Sequence, residues 1–198
     1  MYIDDSVKKY IDDLSAKLPA PGGGSAAALA GTLGVSLILM VLNYTVGKEK
    51  YKKFEEELNQ ALAAAKELKK KLSMLVDKDV EAYKKVSSTF NSQDGTIKEK
   101  TLKDAAGVPI EICNCSYETL KICRSIMDKT NKNLISDIGV AAEFLEAAYN
   151  SALLNIKINL KGIKDKEFST NIAKAIDPQI EEVADIKEAI IEYVEKEL

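Results

Sequence analysis

The sequence predicts an all-α protein: a single-domain bundle of about six helices over residues 1–198, with a buried central helix rich in Ala and Gly. Apolar residues make up 46% of the chain and charged residues 30%, with 6% aromatic residues and no Trp. That mixture is typical of helical proteins. Apolar side chains also recur every three or four residues through most of the chain, which is the period of an amphipathic helix. No change of composition marks a linker or a second domain.

The first two predicted helices flank a run of Pro and Gly. The first covers residues 3–18 and ends at residues 19–24, because two prolines and three glycines cannot continue a helix. Ser25 is the predicted N-cap of a second helix that extends to about residue 46. No charge occurs between Lys17 and Lys48. A membrane span has this length, but the neighbouring helices are amphipathic, so the pattern favours the buried centre of a bundle.

Four further helices complete the predicted bundle. The third covers residues 49–90 and carries one apolar stripe, formed by Leu58, Leu62, Ala65, Leu68, Leu72, Leu75 and Val76. A predicted turn over residues 91–95 separates it from a fourth helix over residues 96–129. The fifth begins with Ser136 as N-cap and extends to about residue 160. A last amphipathic helix covers residues 177–197.

The composition excludes several classes of function. The chain contains no His, which removes the usual acid/base at neutral pH and the commonest metal ligand. Its three cysteines, Cys113, Cys115 and Cys123, cluster in one helical stretch and are predicted to be buried structural thiols, with no disulfide and no metal site. The net charge of −3 argues against binding to nucleic acid. The start of the chain is charged rather than a secretory signal, so a cytoplasmic location is expected.

Four segments carry a family signature in a fixed order. Residues 19–34 read Pro-Ala-Pro-Gly-Gly-Gly-Ser-Ala-Ala-Ala-Leu-Ala-Gly-Thr-Leu-Gly, and residues 43–48 read Asn-Tyr-Thr-Val-Gly-Lys. Residues 76–83 read Val-Asp-Lys-Asp-Val-Glu-Ala-Tyr, and the fourth segment combines residues 136–142 with residues 155–160. Together they resemble the folate cyclodeaminase/cyclohydrolase family across nearly the whole chain. The formiminotransferase half that animal members of that family carry is absent.

The resemblance implies an enzyme that acts on the one-carbon unit of tetrahydrofolate. A cyclohydrolase adds water to 5,10-methenyltetrahydrofolate and gives 10-formyltetrahydrofolate. A cyclodeaminase closes 5-formiminotetrahydrofolate to the 5,10-methenyl form and releases ammonia. Because the chain stands alone, the cyclohydrolase is slightly favoured and the cyclodeaminase is the alternative. The resemblance also implies a homodimer, with no cofactor beyond tetrahydrofolate as the substrate carrier.

Carboxylates are the predicted catalytic groups. Both reactions pass through a tetrahedral carbon with cationic character and need a proton shuttle beside a negative charge, which one carboxylate supplies. The candidates are Asp79, Asp77 and Asp137. Asp77 and Asp79 lie roughly 200° apart around a helix, so one pocket would contact only one of them. Asp79 is favoured because Tyr83 follows it one turn on.

Substrate-binding residues are predicted from three segments. The turn Gly22, Gly23, Gly24 and Ser25 opens a helix, whose first N–H groups can bind an anion or a carbonyl oxygen. Asn155 and Asn159 share a helix face with Asp137 in an otherwise apolar segment, and their amides suit the pterin ring. Asn43 is implied by the resemblance. Lys48 and Lys50 are candidates for the glutamate tail of folate.

A non-catalytic helical scaffold is the competing interpretation. Catalysis requires the glycine turn, an aspartate and the two asparagines to meet in one cleft. A scaffold would leave them scattered, or buried in the bundle without a pocket.

Overall fold

A computed structural model of the chain describes residues 1–90, 92 and 94–198. Within these residues six α-helices follow one another: α1 (Val7–Ser15), α2 (Gly23–Asn43), α3 (Glu55–Ser88), α4 (Gly95–Ile126), α5 (Ile135–Lys161) and α6 (Lys166–Glu197). Short 3-10 helices occur at Tyr2–Asp4, Glu49–Phe54 and Lys132–Leu134. No strand occurs in the described ranges. The predicted all-α bundle of about six helices is therefore confirmed.

The apolar helix α2 lies at the centre of the bundle, against α3, α4 and α5. Its small residues allow close approach: a Cβ on Gly31 would lie 3.0 Å from Leu72 Cδ2, and one on Gly34 would lie 2.7 Å from Leu145 Cγ. Among the described residues α2 is also the one helix long and apolar enough to cross a membrane. However, 61% of its most apolar stretch is buried inside the bundle, as expected of a central helix.

The core along α3 follows the stripe read from the sequence. Leu58, Ala65, Leu72, Leu75 and Val76 are buried. The remaining two members, Leu62 and Leu68, pack half-buried against the same core. This part of the prediction is confirmed because a three-four spacing over 34 residues fixes the buried face of a helix.

The three cysteines are free and buried within the core. Burial raises the pKa of the Cys113 thiol to about 12 and also raises the pKa of Cys115 and of Cys123. Cys113 and Cys123 donate weak hydrogen bonds to the carbonyl oxygens of Tyr149 and Ile138 on α5. The prediction of buried structural thiols is confirmed.

The two predicted N-caps are wrong. Gly22 is the N-cap of α2, in an extended conformation (φ −139°, ψ −161°), and Ser25 is the third residue of the helix. Leu134 is the N-cap of α5, so Ser136 lies inside its first turn. In both cases the helix begins before the best local capping residue, and in α2 the Asp79 side chain of α3 accepts the N–H of its third residue.

Two other boundaries differ from the prediction. The last helix begins at Lys166, where the Asp165 side chain accepts a hydrogen bond from Phe168 N–H, and it continues through Pro178. The first six residues of the predicted third helix form the 3-10 helix Glu49–Phe54. The predicted turn over residues 91–95 includes Asn91 and Gln93, which lie outside the described residues. Just after it, Asp94 caps α4 by accepting from Thr96 N–H and Ile97 N–H.

Candidate active site

A cleft of about 400 Å³ opens where the start of α2 meets the second half of α3, the start of α4 and the end of α5. Helices α2 and α5 are antiparallel, since Gly23 lies beside Asn155 while Gly34 lies beside Leu145. That arrangement brings the glycine turn of α2 to the end of α5. The lining of the cleft includes the predicted site residues Gly22, Gly23, Gly24, Asp79, Asn155 and Asn159.

Asp79 is the carboxylate of the cleft. Its Oδ2 accepts a hydrogen bond from the Ser25 N–H at 2.9 Å. Ser25 is the third residue of α2, so Asp79 caps that helix from α3, at the positive end of its dipole. Burial raises the pKa of Asp79, and the hydrogen bond from Ser25 acts in the opposite direction. A carboxylate with a raised pKa beside an open cleft is suited to proton transfer.

Gly24 allows this contact. A Cβ on Gly24 would lie 2.0 Å from Asp79 Oδ1 and 2.6 Å from its Cγ, so any side chain would displace the carboxylate. The N–H groups of Gly23 and Gly24 are the first two of α2 and have no partner within the helix. The turn therefore combines a close backbone approach to Asp79 with donors at the edge of the cleft.

Asn155 and Asn159 also line the cleft, one turn apart near the end of α5. Asn155 Nδ2 donates to the Ser151 carbonyl oxygen at 2.9 Å, which fixes the amide beside Gly23. Both side chains are half-buried. The amides can donate and accept along the edge of a flat polar ring.

Two aromatic side chains line the cleft although they were not predicted as site residues. Tyr83 and Phe90 are 42% and 54% exposed and lie on the same face of the chain as Asp79, four and eleven residues further on. This spacing is visible in the sequence, from which Tyr83 is predicted only as a neighbour of Asp79. Exposed aromatic rings beside a cleft offer flat apolar surface to a ring-shaped ligand.

Comparisons with known proteins identify the family of this chain. The family model described as formiminotransferase-cyclodeaminase matches residues 6–178. The chain is also 33% identical to a methenyltetrahydrofolate cyclohydrolase from Methylorubrum extorquens, over 98% of each chain. The chain belongs to the formiminotransferase-cyclodeaminase family.

Two further matches define the extent of the likeness. A crystal structure of formiminotetrahydrofolate cyclodeaminase from Thermotoga maritima superposes with a TM-score of 0.89 and is 30% identical, over 100% of this chain and 98% of that one. The rat formimidoyltransferase-cyclodeaminase is 25% identical over 91% of this chain. The chain spans 35% of that rat protein. The family resemblance read from the four sequence segments is confirmed.

Asp77, the second catalytic candidate, lies outside the cleft. It is buried, and its two carboxylate oxygens accept hydrogen bonds from Tyr2 N–H at 2.6 Å and Ile3 N–H at 3.2 Å. These are the first N–H groups of the 3-10 helix Tyr2–Asp4, which have no partner within that helix. In this family member Asp77 therefore holds the start of the chain against α3.

Asp137 is also absent from the cleft. It lies in the first turn of α5, whereas Asn155 lies near the end of the same helix. Their shared face was predicted correctly, but 18 residues at 1.5 Å each separate them by roughly 27 Å along the helix axis. Asp137 cannot reach a substrate held between Asp79 and Asn155 of the same chain.

The remaining candidates lie at the other end of α2, roughly 30 Å from the glycine turn. Lys48 and Lys50 lie over the rings of Tyr44 and Tyr51, at 5.9 and 5.4 Å from their centroids. Asn43 lines a separate, more open hollow of about 620 Å³ with Lys66, Lys69 and Lys70. None of the described residues that line this hollow carries a carboxylate. The three predicted binding residues are therefore not part of the Asp79 cleft in one chain.

Proposed function

We propose that this chain hydrolyses 5,10-methenyltetrahydrofolate to 10-formyltetrahydrofolate, as the name of its Methylorubrum relative describes. The observation that carries the proposal is the cleft in which Asp79, the glycine turn, Asn155 and Asn159 come together. A non-catalytic scaffold would not require a carboxylate of raised pKa at the N-terminus of a helix, in the same cleft as two asparagine side chains.

The cleft matches the chemistry of this substrate. The methenyl group is a cationic carbon between two nitrogens, and the charge of Asp79 stabilises it at close range. Tyr83 and Phe90 offer faces for the flat rings of the folate, while the amides of Asn155 and Asn159 can pair with the polar edge of the pterin. The residues proposed to contact substrate are thus Asp79, Gly23, Gly24, Asn155 and Asn159, with the two aromatics.

The proposed steps use Asp79 twice. The carboxylate first accepts a proton from a water molecule while the oxygen of that water bonds to the methenyl carbon. This step gives a neutral tetrahedral intermediate. The protonated Asp79 then donates that proton to N5 as the bond between this carbon and N5 breaks. The hydroxyl proton leaves to solvent and the carbon becomes the formyl group on N10. One water is consumed and one proton is released.

A cyclodeaminase is the second candidate, favoured by the name of the structural neighbour from Thermotoga maritima. In that reaction N10 attacks the carbon of the protonated formimino group on N5, and ammonia leaves as the methenyl cation forms. Asp79 would accept the N10 proton and donate it to the departing nitrogen. The same cleft serves either reaction, because both pass through a tetrahedral carbon held between two nitrogens.

The setting proposed for this enzyme follows from the same features. The reaction requires no cofactor beyond tetrahydrofolate as the carrier of the one-carbon unit. The net charge of −3 argues against nucleic acid as a partner. With most of α2 packed inside the bundle, we propose a cytoplasmic enzyme that does not cross a membrane.

We further propose a homodimer formed through the outer faces of α2 and α5. An uncharged stripe on α2 remains accessible, formed by Ala26, Leu29, Ala30, Leu33, Leu37 and Met40. Beside it, α5 exposes Val140, Phe144, Leu154 and Ile158. A second copy is the occupant that fits, because a two-fold axis pairs an uncharged apolar face with itself without opposing like charges. Ile158 also lines the cleft, so the site borders this face.

The test of the reaction is the absorbance of the methenyl chromophore with purified protein. Faster loss of the chromophore from 5,10-methenyltetrahydrofolate than in buffer supports the cyclohydrolase. Faster appearance from 5-formiminotetrahydrofolate, with release of ammonia, supports the cyclodeaminase. Rates equal to the buffer control in both cuvettes, with folded protein, would contradict both proposals and favour the scaffold.

A further inference from the structure

The N-terminal segment, residues 1–15, lies behind the carboxylate of the cleft and contacts both helices that form it. Asp77 on α3 accepts the N–H groups of Tyr2 and Ile3. Tyr10 on α1 is 5% exposed, and its hydroxyl donates to Ser25 Oγ on α2 at 3.1 Å. The segment thus joins the start of α2 to α3 at the level of Asp79.

The two contacts are mechanically connected. The rings of Tyr2 and Tyr10 pack edge to face, with centroids 5.5 Å apart and planes at 87°. Ser25 is fully buried, so its side chain has no water to replace the Tyr10 hydroxyl. The backbone N–H of the same residue binds Asp79 at 2.9 Å. A displacement of Ser25 would therefore change the hydrogen bond that the carboxylate receives.

We propose that Tyr10 is a positioning residue for Asp79: through its hydrogen bond to Ser25, and anchored by Asp77, it holds the start of α2 so that the Ser25 N–H meets the carboxylate. The proposal rests on the proposed function only for its kinetic test. Tyr10 does not line the cleft, so it acts through Ser25 and not on substrate.

The hydrogen bond from Ser25, which Tyr10 supports, is the main interaction through which a substitution can change the pKa of Asp79. Two effects act on the pKa of Asp79, and neither is a neighbouring charge. Burial raises the pKa, and the hydrogen bond from the Ser25 N–H lowers it. Ser25 from α2 donates to Asp79, while Tyr83 from α3 and the neutral amide side chains of α5 line the same cleft. Tyr10 from α1 lies close enough to be influenced by the charges of both Asp79 and Asp77. Weakening the Ser25 hydrogen bond should therefore move the pKa of Asp79 upward.

The first experiment compares Tyr10→Phe with Tyr149→Phe. Tyr149 is a matched control, because it is fully buried and its hydroxyl binds the Ile176 carbonyl oxygen within the core, outside the cleft. The carboxyl carbon of Asp79 is followed by 13C NMR titration and identified by its absence in Asp79→Asn. We expect Tyr10→Phe to raise the Asp79 pKa, with an upper limit of roughly 0.5 to 1 pH unit, which is the shift that complete loss of the hydrogen bond from Ser25 N–H would give. Tyr149→Phe should leave it unchanged.

The kinetic readout follows the same direction. In Tyr10→Phe the limb of the kcat/KM pH profile that reports Asp79 should move upward, with kcat reduced about 3- to 10-fold and KM nearly unchanged. Because the NMR titration needs no turnover, it remains decisive if neither folate reaction is observed.

A second variant guards against a misfolded Tyr10→Phe. Ser25→Ala removes the Oγ that Tyr10 binds and keeps the backbone N–H, so it should raise the pKa of Asp79 in the same direction. The double variant should shift it no further than either single one, because both cut the same link. An unchanged Asp79 pKa in folded Tyr10→Phe or in Ser25→Ala would overturn the proposal, and additive shifts would overturn it equally.

Discussion

The Asp79 carboxylate is held by two opposing influences. The cleft desolvates it and raises its pKa, while the start of α2 supplies one N–H that stabilises its charged form. A carboxylate balanced in this way can accept a proton in one step and return it in the next. In a chain without His, it is the group in the cleft that is suited to both steps.

Replacing Asp79 by Asn should lower turnover about 10²- to 10⁴-fold, since the amide neither accepts nor carries the proton. Affinity for the cationic methenyl substrate should also fall, but by less than turnover, because Asn removes the negative charge and keeps the shape of the side chain. The free energy of unfolding at neutral pH should not fall. Because the pKa of Asp79 is raised in the folded state, Asp79 stabilises the fold at low pH and this contribution is lost as the pH rises through that pKa. Asn does not ionise, so the variant does not lose stability in this way. Chromophore assays and thermal unfolding at two pH values measure both effects.

Asp137→Asn is the control for that result. Its side chain lies roughly 27 Å from Asn155 along α5, so turnover should stay at the wild-type level. Wild-type turnover in Asp79→Asn, or a large loss in Asp137→Asn, would contradict the assignment of the acid/base to the α3 carboxylate.

Gly24→Ala tests the close contact at the start of α2. The added methyl would lie 2.0 Å from Asp79 Oδ1, so the carboxylate must move and lose the Ser25 N–H. We expect turnover to fall at least tenfold, while the fold is retained because a short side chain can give way. Gly107→Ala is the matched control: it lies inside α4 with no atom within 4 Å of the new Cβ, so activity should be unchanged and stability slightly higher. Equal activity in both variants would argue against the contact.

At the scale of elements, the N-terminal segment depends on Asp77. Asp77→Ala leaves two N–H groups of the 3-10 helix Tyr2–Asp4 without their acceptor, which should cost about 1–3 kcal/mol of the free energy of unfolding. Urea unfolding measures that cost, and hydrogen exchange should speed up in residues 1–15. Turnover should fall far less than in Asp79→Asn. A loss of turnover as large as that of Asp79→Asn, without a loss of stability, would make Asp77 the catalytic group instead.

The helices themselves were largely predictable, because periodicity fixes which face of α3 is buried and the Pro-Gly run separates α1 from α2, although α2 already begins at Gly23 within that run. The cap of α2 was not, since its third N–H is bound by Asp79 from another helix rather than by a local side chain. The predicted start of the last helix at residue 177 is wrong, because α6 begins at Lys166 and Pro178 lies inside it. Periodicity placed Asp137 and Asn155 on one face but did not show that distance along the axis separates them.

At the scale of the whole molecule, the pairing of α2 with α5 decides which residues meet. Their antiparallel packing, allowed by Gly31 and Gly34, carries the start of one helix to the end of the other and so closes the cleft. The same packing leaves the outer faces of both helices uncovered. One arrangement therefore forms the cleft and the apolar face beside it.

The proposed dimer can be tested on that face with one substitution. Leu33 is 47% exposed at the middle of the α2 stripe, so Leu33→Glu would bring two carboxylates to a two-fold contact and should shift the protein to monomers at micromolar concentration. Val7→Glu is the matched control, because Val7 is 72% exposed on α1, away from the stripe, and its variant should remain dimeric. Light scattering after gel filtration measures both masses. A monomeric wild type, or a dimeric Leu33→Glu, would contradict the interface.

Since Ile158 belongs both to this face and to the cleft, we also expect the monomer to bind folate more weakly than the dimer.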